Sequence, residues 1–370
     1  MSAERRVAFV FIGGVHHVFH TMPVACALSR RENVEVIAFV ADEPTEWTAA
    51  TVKQDMGGNV TIRRMRRPKL VDRLFGAHRA KLPLLWRNRR ELGSFDAIVV
   101  PERTSLILRR MGVTRPAFIN LPHGAGDRAI SVDPRYNLFD RILLAGPKTA
   151  ARMISTGIRA SSIRQVGYPK AEFLADIAGG KSPLFENGRP VVFFNPHFRR
   201  HLSSLDAAMQ IVEAITAETD YNLIVAPHIR SFEGASEDEL RRWHALAVPG
   251  RVIVDTGSPR LIDMSYVAAA DLYLGDVSSQ VYEFLLLGLR PCVFVNAHGV
   301  KWADDLSYRH WHLGSVVTPA GVVQGLRTAL SERDAYAERQ QAAVAETFAR
   351  LKGSSESAAD AILECIAERQ

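Results

Sequence analysis

Residues 273 to 288 read Tyr273-Leu274-Gly275-Asp276-Val277-Ser278-Ser279-Gln280-Val281-Tyr282-Glu283-Phe284-Leu285-Leu286-Leu287-Gly288. A short apolar run, a tight turn, two hydroxyls and an apolar helical pattern follow one another. That order predicts a buried strand delivering Ser278 and Ser279 to the start of a helix over 278–287. Unpaired N–H groups and the helix dipole favour an anion at such an end. Asp276 lies in the turn. Glu283, about one turn further in, is placed to accept hydrogen bonds from sugar hydroxyls. The segment reads as a clamp for a nucleotide-linked diphosphate. A Ser-capped helix of an α/β core has the same signature, since Ser is a favoured N-cap.

Working outward, the same strand-then-helix order recurs along the chain. Candidate strands are Val7–Ile12, Val34–Phe39, Val60–Arg63, Ala97–Val100, Ala117–Leu121, Arg141–Ala145 and Ile163–Val166. A second series is Pro190–Asn195, Tyr221–Ala226, Arg251–Val254, Leu272–Leu274, Cys292–Val295 and Ser315–Val317. Helical patterns such as Met22–Arg30, Ser204–Glu218 and Arg260–Ala269 lie between them. This alternation predicts an α/β fold of parallel, doubly wound sheets. A Gly-, Ser-, Pro- and charge-rich stretch over 176–189 reads as a linker. The expected organisation is therefore a Rossmann-like domain over 1–175, the linker, and a second Rossmann-like domain over 190–370 across a cleft. The last helix is expected to pack back on the first domain. Ligands in such folds bind beyond the carboxyl ends of the strands, so the chemistry belongs in the loops that follow strands.

At 370 residues, 47% hydrophobic and 23% charged, the chain has the balance of a globular protein with room for two cores. Cys26, Cys292 and Cys365 form no CxxC pair, which argues against a disulfide framework or a zinc site. Met1 to Arg6 is polar and the apolar run after it is short, so no secretory leader is expected, and a cytoplasmic location is. No stretch approaches the roughly 20 apolar residues of a membrane span. The net charge of +6 is concentrated: eleven Lys or Arg fall between Arg63 and Arg90, against Asp72 alone. Arg63, Arg64, Arg66 and Arg67, with Trp86 and several Leu interleaved, predict contact with the anionic inner leaflet of a membrane or with a polyphosphate. Duplex nucleic acid is disfavoured, because no recognition motif accompanies the charge.

The strand-end loops hold the candidate chemistry. Gly13-Gly14 follows the first strand and admits a ligand closely; His16, His17 and His20 come next, then a helix expected to have Pro23 in its first turn. HxxxH across a loop, with no acid beside it, is a poor metal motif, and no metal or cofactor is expected. Pro122-His123-Gly124 ends another strand and opens an imidazole of ordinary pKa near ~6.5 to the cleft, suited to general-base work. Asn195-Pro196-His197-Phe198-Arg199 and Pro227-His228-Ile229-Arg230 end two strands of the second series and suit a phosphate or oxyanion. P-loop, GxSxG and HExxH patterns are absent from the sequence.

Taken in order, His123-Gly124, Gly167-Tyr168-Pro169-Lys170, Pro227-His228, Asp276-Val277-Ser278-Ser279 with Glu283, and Gly353-Ser354-Ser355 resemble the CDP-glycerol glycerophosphotransferases of teichoic-acid-type polymers. The resemblance covers roughly residues 110 to 365. It implies the GT-B fold and metal-independent transfer of a polyol phosphate from a CDP-activated donor to a lipid-linked or membrane-associated hydroxyl. It implies His123 as the base and His228 near the donor phosphate. Ser278, Ser279, Asp276, Arg199 and Arg230 would hold the donor phosphates and nucleotide, and Glu283 its hydroxyls. Gly14, His17 and Arg128 would line the acceptor side. Two departures stand out: Ala125-Gly126-Asp127-Arg128 replaces the family's Thr-Pro-Leu-Lys-like run, and Glu283 replaces an Asp. The first 60 residues resemble instead the lipid-linked glycosyltransferase that completes the peptidoglycan precursor. A glycosyltransferase using a UDP- or CMP-sugar is the alternative enzyme reading, and a non-catalytic nucleotide-binding protein the alternative outside enzymes. A nucleotide-sugar 2-epimerase would require paired acidic catalysts that the sequence does not place.

Overall fold

The computed structural model describes residues 4–67, 81–127, 133–172 and 184–369. The chain forms two compact units. The first is Met1–Gly124, Ser131–Phe173 and Glu346–Gln370; the second is Ala125–Ile130 and Leu174–Ala345.

The first unit is built on β1 (Arg5–Phe11), β2 (Val34–Val40), β3 (Thr61–Arg64), β4 (Ala97–Val100), β5 (Ala117–Asn120), β6 (Arg141–Leu144) and β7 (Ile163–Gln165). They form one parallel sheet in the order β3-β2-β1-β4-β5-β6-β7. The second unit is built on β8 (Val191–Asn195), β9 (Asn222–Val225), β10 (Val252–Val254), β11 (Leu272–Gly275), β12 (Cys292–Val295) and β13 (Ser315–Val317). These are also parallel, in the order β10-β9-β8-β11-β12-β13. Each expected strand is present, with ends within two residues of the reading from sequence. The reason is burial: β4, β5, β6, β8, β9, β11 and β12 are buried along their whole length, as parallel strands covered on both faces must be.

Both sheets reverse their winding once. In the first unit the reversal lies between β1 and β4, and in the second between β8 and β11. At such a switch point the two following loops diverge to opposite faces and leave a crevice. The loops this singles out are those after Phe11 and Val100, and those after Asn195 and Gly275.

Helices cover the sheets. α1 (His16–Leu28) starts six residues before the expected Met22, and Pro23 lies in its interior, not its first turn. Polar His16, His17, His20 and Thr21 hid the start, yet all but His16 are buried. Pro23 removes the N–H that would have reached the Phe19 carbonyl. α2 (Glu43–Met56) is capped by Asp42, whose carboxylate accepts from Thr45 N at 3.0 Å, and α3 (Lys81–Leu92) precedes β4. α4 (Gln280–Leu286) follows β11, and α5 (Ser354–Ala367) packs on α1. Arg30 and Arg31 pair with Glu356 and Asp360 of α5, and the buried Arg141 of β6 pairs with Glu368. Among the described residues no helix is long and apolar enough to cross a membrane.

Candidate functional site

In the second unit the two switch-point loops are tied by one side chain. Asp276 is fully buried and accepts from His197 N at 3.0 Å, Ser204 N at 2.8 Å, Ser204 Oγ at 3.1 Å and Val277 N at 2.6 Å. Burial raises its pKa above the ordinary carboxylate value, and the N–H groups of Ser204, Val277 and His197 pull the other way. Its oxygens are spent on the chain, so Asp276 shapes the loop after β8, whereas the sequence reading had it binding the donor.

The loops after β8 and β9 repeat one motif: Pro196-His197-Phe198-Arg199 and Pro227-His228-Ile229-Arg230. Adjacent strands bring the two copies side by side, with His228 N donating to Pro196 O at 3.0 Å and Asn195 Nδ2 to Ala226 O at 2.7 Å. In each copy the imidazole Nδ1 accepts from the N–H two residues on, Arg199 N to His197 and Arg230 N to His228, both at 3.2 Å. A neutral ring so held carries its proton on Nε2. The His197 and His228 rings lie 5.6 Å apart, with Phe198 4.8 Å from His228. Arg230 stacks over Phe198 at 4.4 Å, Arg199 lies 5.7 Å from the same ring, and both arginines are exposed. Two imidazole N–H donors and two guanidinium groups thus gather around one aromatic ring at the sheet's carboxyl end, a donor set suited to an oxyanion.

The segment of Ser278 and Ser279 differs from its reading. The helix begins at Gln280, not Ser278, and α4 is seven residues long. So few peptides sum to a weak dipole, and this helix end is not by itself an anion site. Ser278 is buried, its Oγ accepting from Gln280 N at 3.3 Å. Ser279 is half-buried against Gly126, where a Cβ would stand 2.6 Å from Ser279 Cβ. Glu283 is buried as well.

Sequence reasoning missed what holds this turn. Asp127 is buried and accepts from Tyr282 Oη at 2.8 Å, His310 N at 3.0 Å and His310 Nδ1 at 3.1 Å. His310 Nε2 and Trp311 Nε1 then meet the Asp276 carbonyl at 2.8 and 2.7 Å. Two polar aromatic residues side by side, His310-Trp311, in the run between β12 and β13 were the available signal. Asp255 is a third fixed acid; burial raises its pKa, but hydrogen bonds from Ser258, Gly257 and Tyr266 outweigh that and leave it below the ordinary value.

In the first unit the loops after β1 and β5 bring three histidines together. Single ring nitrogens of His16, His17 and His123 all lie within 4.8 Å of one another. The spacing of His16, His17 and His20 alone did not reveal this, because His123 arrives on a different strand. Gly13 makes room, since a Cβ there would fall 2.0 Å from His17 Cε1; Gly14 turns the chain with φ at 117°. Burial lowers the pKa of His17 well below the usual histidine value, and His123, His16, His20 and Lys81 add to it. Burial lowers His123 too, against a partial rise from the Pro101 carbonyl. Arg128 lies outside the described residues.

The basic strip is partly neutralised. Arg63 pairs with Glu91 and Arg64 with Glu46, while Arg67 donates to Ala41 O at 2.8 Å. Arg66 stays largely exposed, as do Leu82 and Trp86 of α3, the latter under Arg89 at 3.5 Å. Much of the remainder, residues 68 to 80, lies outside the described residues. All three cysteines are free and buried.

By sequence, no family model and no curated protein matches the chain. By structure, the Anabaena protein HepE (Alr3699), solved with UDP and glucose, matches with a TM-score of 0.57 at 14% identity, over 96% of this chain and 99% of that one. The UDP-GlcNAc 2-epimerase of Neisseria meningitidis, bound to UDP-GlcNAc, matches with a TM-score of 0.63 at 10% identity, over 98% and 100%. A glycosyltransferase of Rickettsia africae matches with a TM-score of 0.55 at 10% identity, over 98% and 99%. The fold is GT-B. GT-B neighbours of this kind overturn the resemblance to the CDP-glycerol glycerophosphotransferases. The motifs misled for a physical reason. His-Gly, Pro-His and Asp-x-Ser-Ser mark strand ends that any doubly wound sheet produces, and here the Asp and the first Ser serve the chain's own backbone.

Proposed function

We propose that this chain is a GT-B glycosyltransferase that takes a UDP-linked sugar and passes the sugar to a hydroxyl acceptor. The observation that carries the reading is the doubled Pro-His-x-Arg motif at the ends of β8 and β9, next to the switch point of the second unit. Its two Nε2–H donors and two arginines match the oxygens of a diphosphate. As the bond from the sugar C1 to the diphosphate oxygen breaks, charge grows on that oxygen. Donors already held by Asp276 and the paired backbone need no reorganisation to meet it. The acceptor oxygen bonds to C1 and gives its proton to a general base; the first unit offers the imidazoles of His16, His17 and His123. His123 is the most exposed of the three there, and its lowered pKa keeps it neutral and able to take a proton at pH 7. UDP in the HepE structure and UDP-GlcNAc in the epimerase support a uridine donor. Exposed Leu82 and Trp86 of α3, with Arg89 over the Trp86 ring, support an acceptor presented at an anionic membrane surface.

The test is calorimetric titration with UDP, CDP and GDP, followed by mass spectrometry of products from UDP-sugars and hydroxyl acceptors. UDP is expected to bind best. Arg199→Ala with Arg230→Ala should weaken UDP by roughly 10- to 100-fold or more, the worth of one or two charge-assisted hydrogen bonds. No UDP binding, or unchanged binding in the double variant, would sink the reading. The N. meningitidis epimerase has a higher TM-score than HepE, which favours a second reading, 2-epimerisation. That reaction needs no acceptor. Solvent deuterium entering C2 of UDP-GlcNAc incubated with the protein alone would establish it in place of transfer.

A further inference from the structure

The histidine cluster of the first unit has the makings of a metal site. Three ring nitrogens from His16, His17 and His123 lie within 4.8 Å of one another. An ion with metal–nitrogen bonds near ~2.0–2.1 Å in tetrahedral geometry needs them roughly 3.4 Å apart, a closure of at most about 1.4 Å. His17 is 3% exposed, and its Nδ1 is buried with no hydrogen-bond partner, an uncompensated lone pair or proton in the protein interior. It lies over Gly13, where any side chain would collide with the ring. His123 Nδ1 stands 3.5 Å from Pro101 O. A proton placed there leaves Nε2 with the lone pair that would bind an ion, the usual way an outer contact prepares a metal-binding histidine. The nearest charges are a pair. Lys81 opposes a cation, but Glu102 holds it at 3.1 Å, and the second Glu102 oxygen is buried without a partner.

We propose that His16, His17 and His123 bind one late first-row divalent ion of the Zn2+ class, with the fourth position open to water or a ligand oxygen. Three imidazoles without thiolate or carboxylate select this class over Mg2+ or Ca2+. An open fourth position is the arrangement of reactive, not structural, sites. The proposal does not rest on sugar transfer. It also sets an alternative for His123, because the nitrogen that would accept a proton is the one that would bind the ion.

Untagged protein is titrated with Co2+, whose tetrahedral complexes absorb visible light, and Zn2+ is then added in competition. One Co2+ per chain is expected, with intense visible bands that Zn2+ abolishes. His16→Gln and His123→Gln, neither of them a buried position, should each weaken Co2+ by more than about 100-fold, beyond the loss typical of an outer-shell change. Circular dichroism checks that both variants are folded. No visible bands in the parent protein, or bands that persist in both variants, would overturn the site. UDP titration of the same samples is a separate readout, so failure here leaves the donor reading standing and the reverse.

Discussion

Replacing Asp127 with Ala tests how the second unit holds its β11 turn. The carboxylate is buried and accepts from Tyr282 Oη, His310 N and His310 Nδ1 at 2.8 to 3.1 Å. Removing it takes this acceptor away from Tyr282 Oη, His310 N and His310 Nδ1. Breaking one side of such a buried set costs about 3–5 kcal/mol. Tyr282→Phe removes only one donor and leaves the other two in place, at about 1.5–3 kcal/mol for a hydrogen bond to a charged group. Urea unfolding reads the difference. Trp243 and Trp311 are buried in the second unit, Trp311 beside His310, whereas Trp47 and Trp86 of the first unit are already exposed, so the red shift of tryptophan emission on unfolding reports mainly the second unit. With a urea slope of roughly 2 kcal/mol per molar, Asp127→Ala should lower the midpoint by about 2 M and Tyr282→Phe by about 1 M. In the double variant the effects should fall short of their sum, because Asp127→Ala already removes the bond that Tyr282→Phe would break. An Asp127→Ala midpoint no lower than that of Tyr282→Phe would refute the claim that this carboxylate carries the network.

Gly126→Ala should lower the stability of the second unit by about 1–3 kcal/mol through overpacking, since its Cβ would meet Ser279 at 2.6 Å; an unchanged melting curve would show that this contact gives way to a methyl at no cost. His20 supplies a pH dependence. Burial, then the charges of Lys170, His123 and His16, hold its pKa well below the usual value. The unfolded chain takes up a proton near pH ~6.5 that the folded chain refuses. Stability should therefore be complete above that pH and fall on acidification, by up to about 1.4 kcal/mol per pH unit for this group. Melting curves of the metal-free protein at several pH values should show the fall, and His20→Gln should shallow it; a slope unaltered in the variant would exclude His20 as its source.

The sheets were legible in the sequence because a strand buried on both faces writes itself as an unbroken apolar run. Ala97–Val100 and Cys292–Val295 were recovered to the residue. The loops that follow them were legible as places but not as roles. Asp276 and Ser278 look like ligand-binding residues in one dimension. Only the fold shows that Ser204 and His197, 72 and 79 positions away, claim the carboxylate. The start of α1 was hidden because burial of His17 and His20 depends on a partner from β5, and hydrophobic periodicity does not register buried imidazoles. The histidine cluster escaped for the same reason. Asp127 followed a glycine-rich turn and read as a loop residue, although Tyr282 and His310 lie 155 and 183 positions on.

The two units do not follow one another along the chain, and this bears on how the protein is made. α5 packs on α1 and is anchored by the Arg141–Glu368 pair, yet it follows every strand of both sheets. On the ribosome, the first sheet is complete long before α5 leaves the exit tunnel. Until then the α1 surface destined for α5 is bare, and Arg141 waits without its carboxylate. The short run from Ala125 to Asp127 waits likewise for Tyr282 and His310. Neither unit can close until most of the other has been synthesised. Cutting the chain once between the sheets would therefore yield two fragments that each lack a piece of their own core, and expressing the halves together would be the way to recover them.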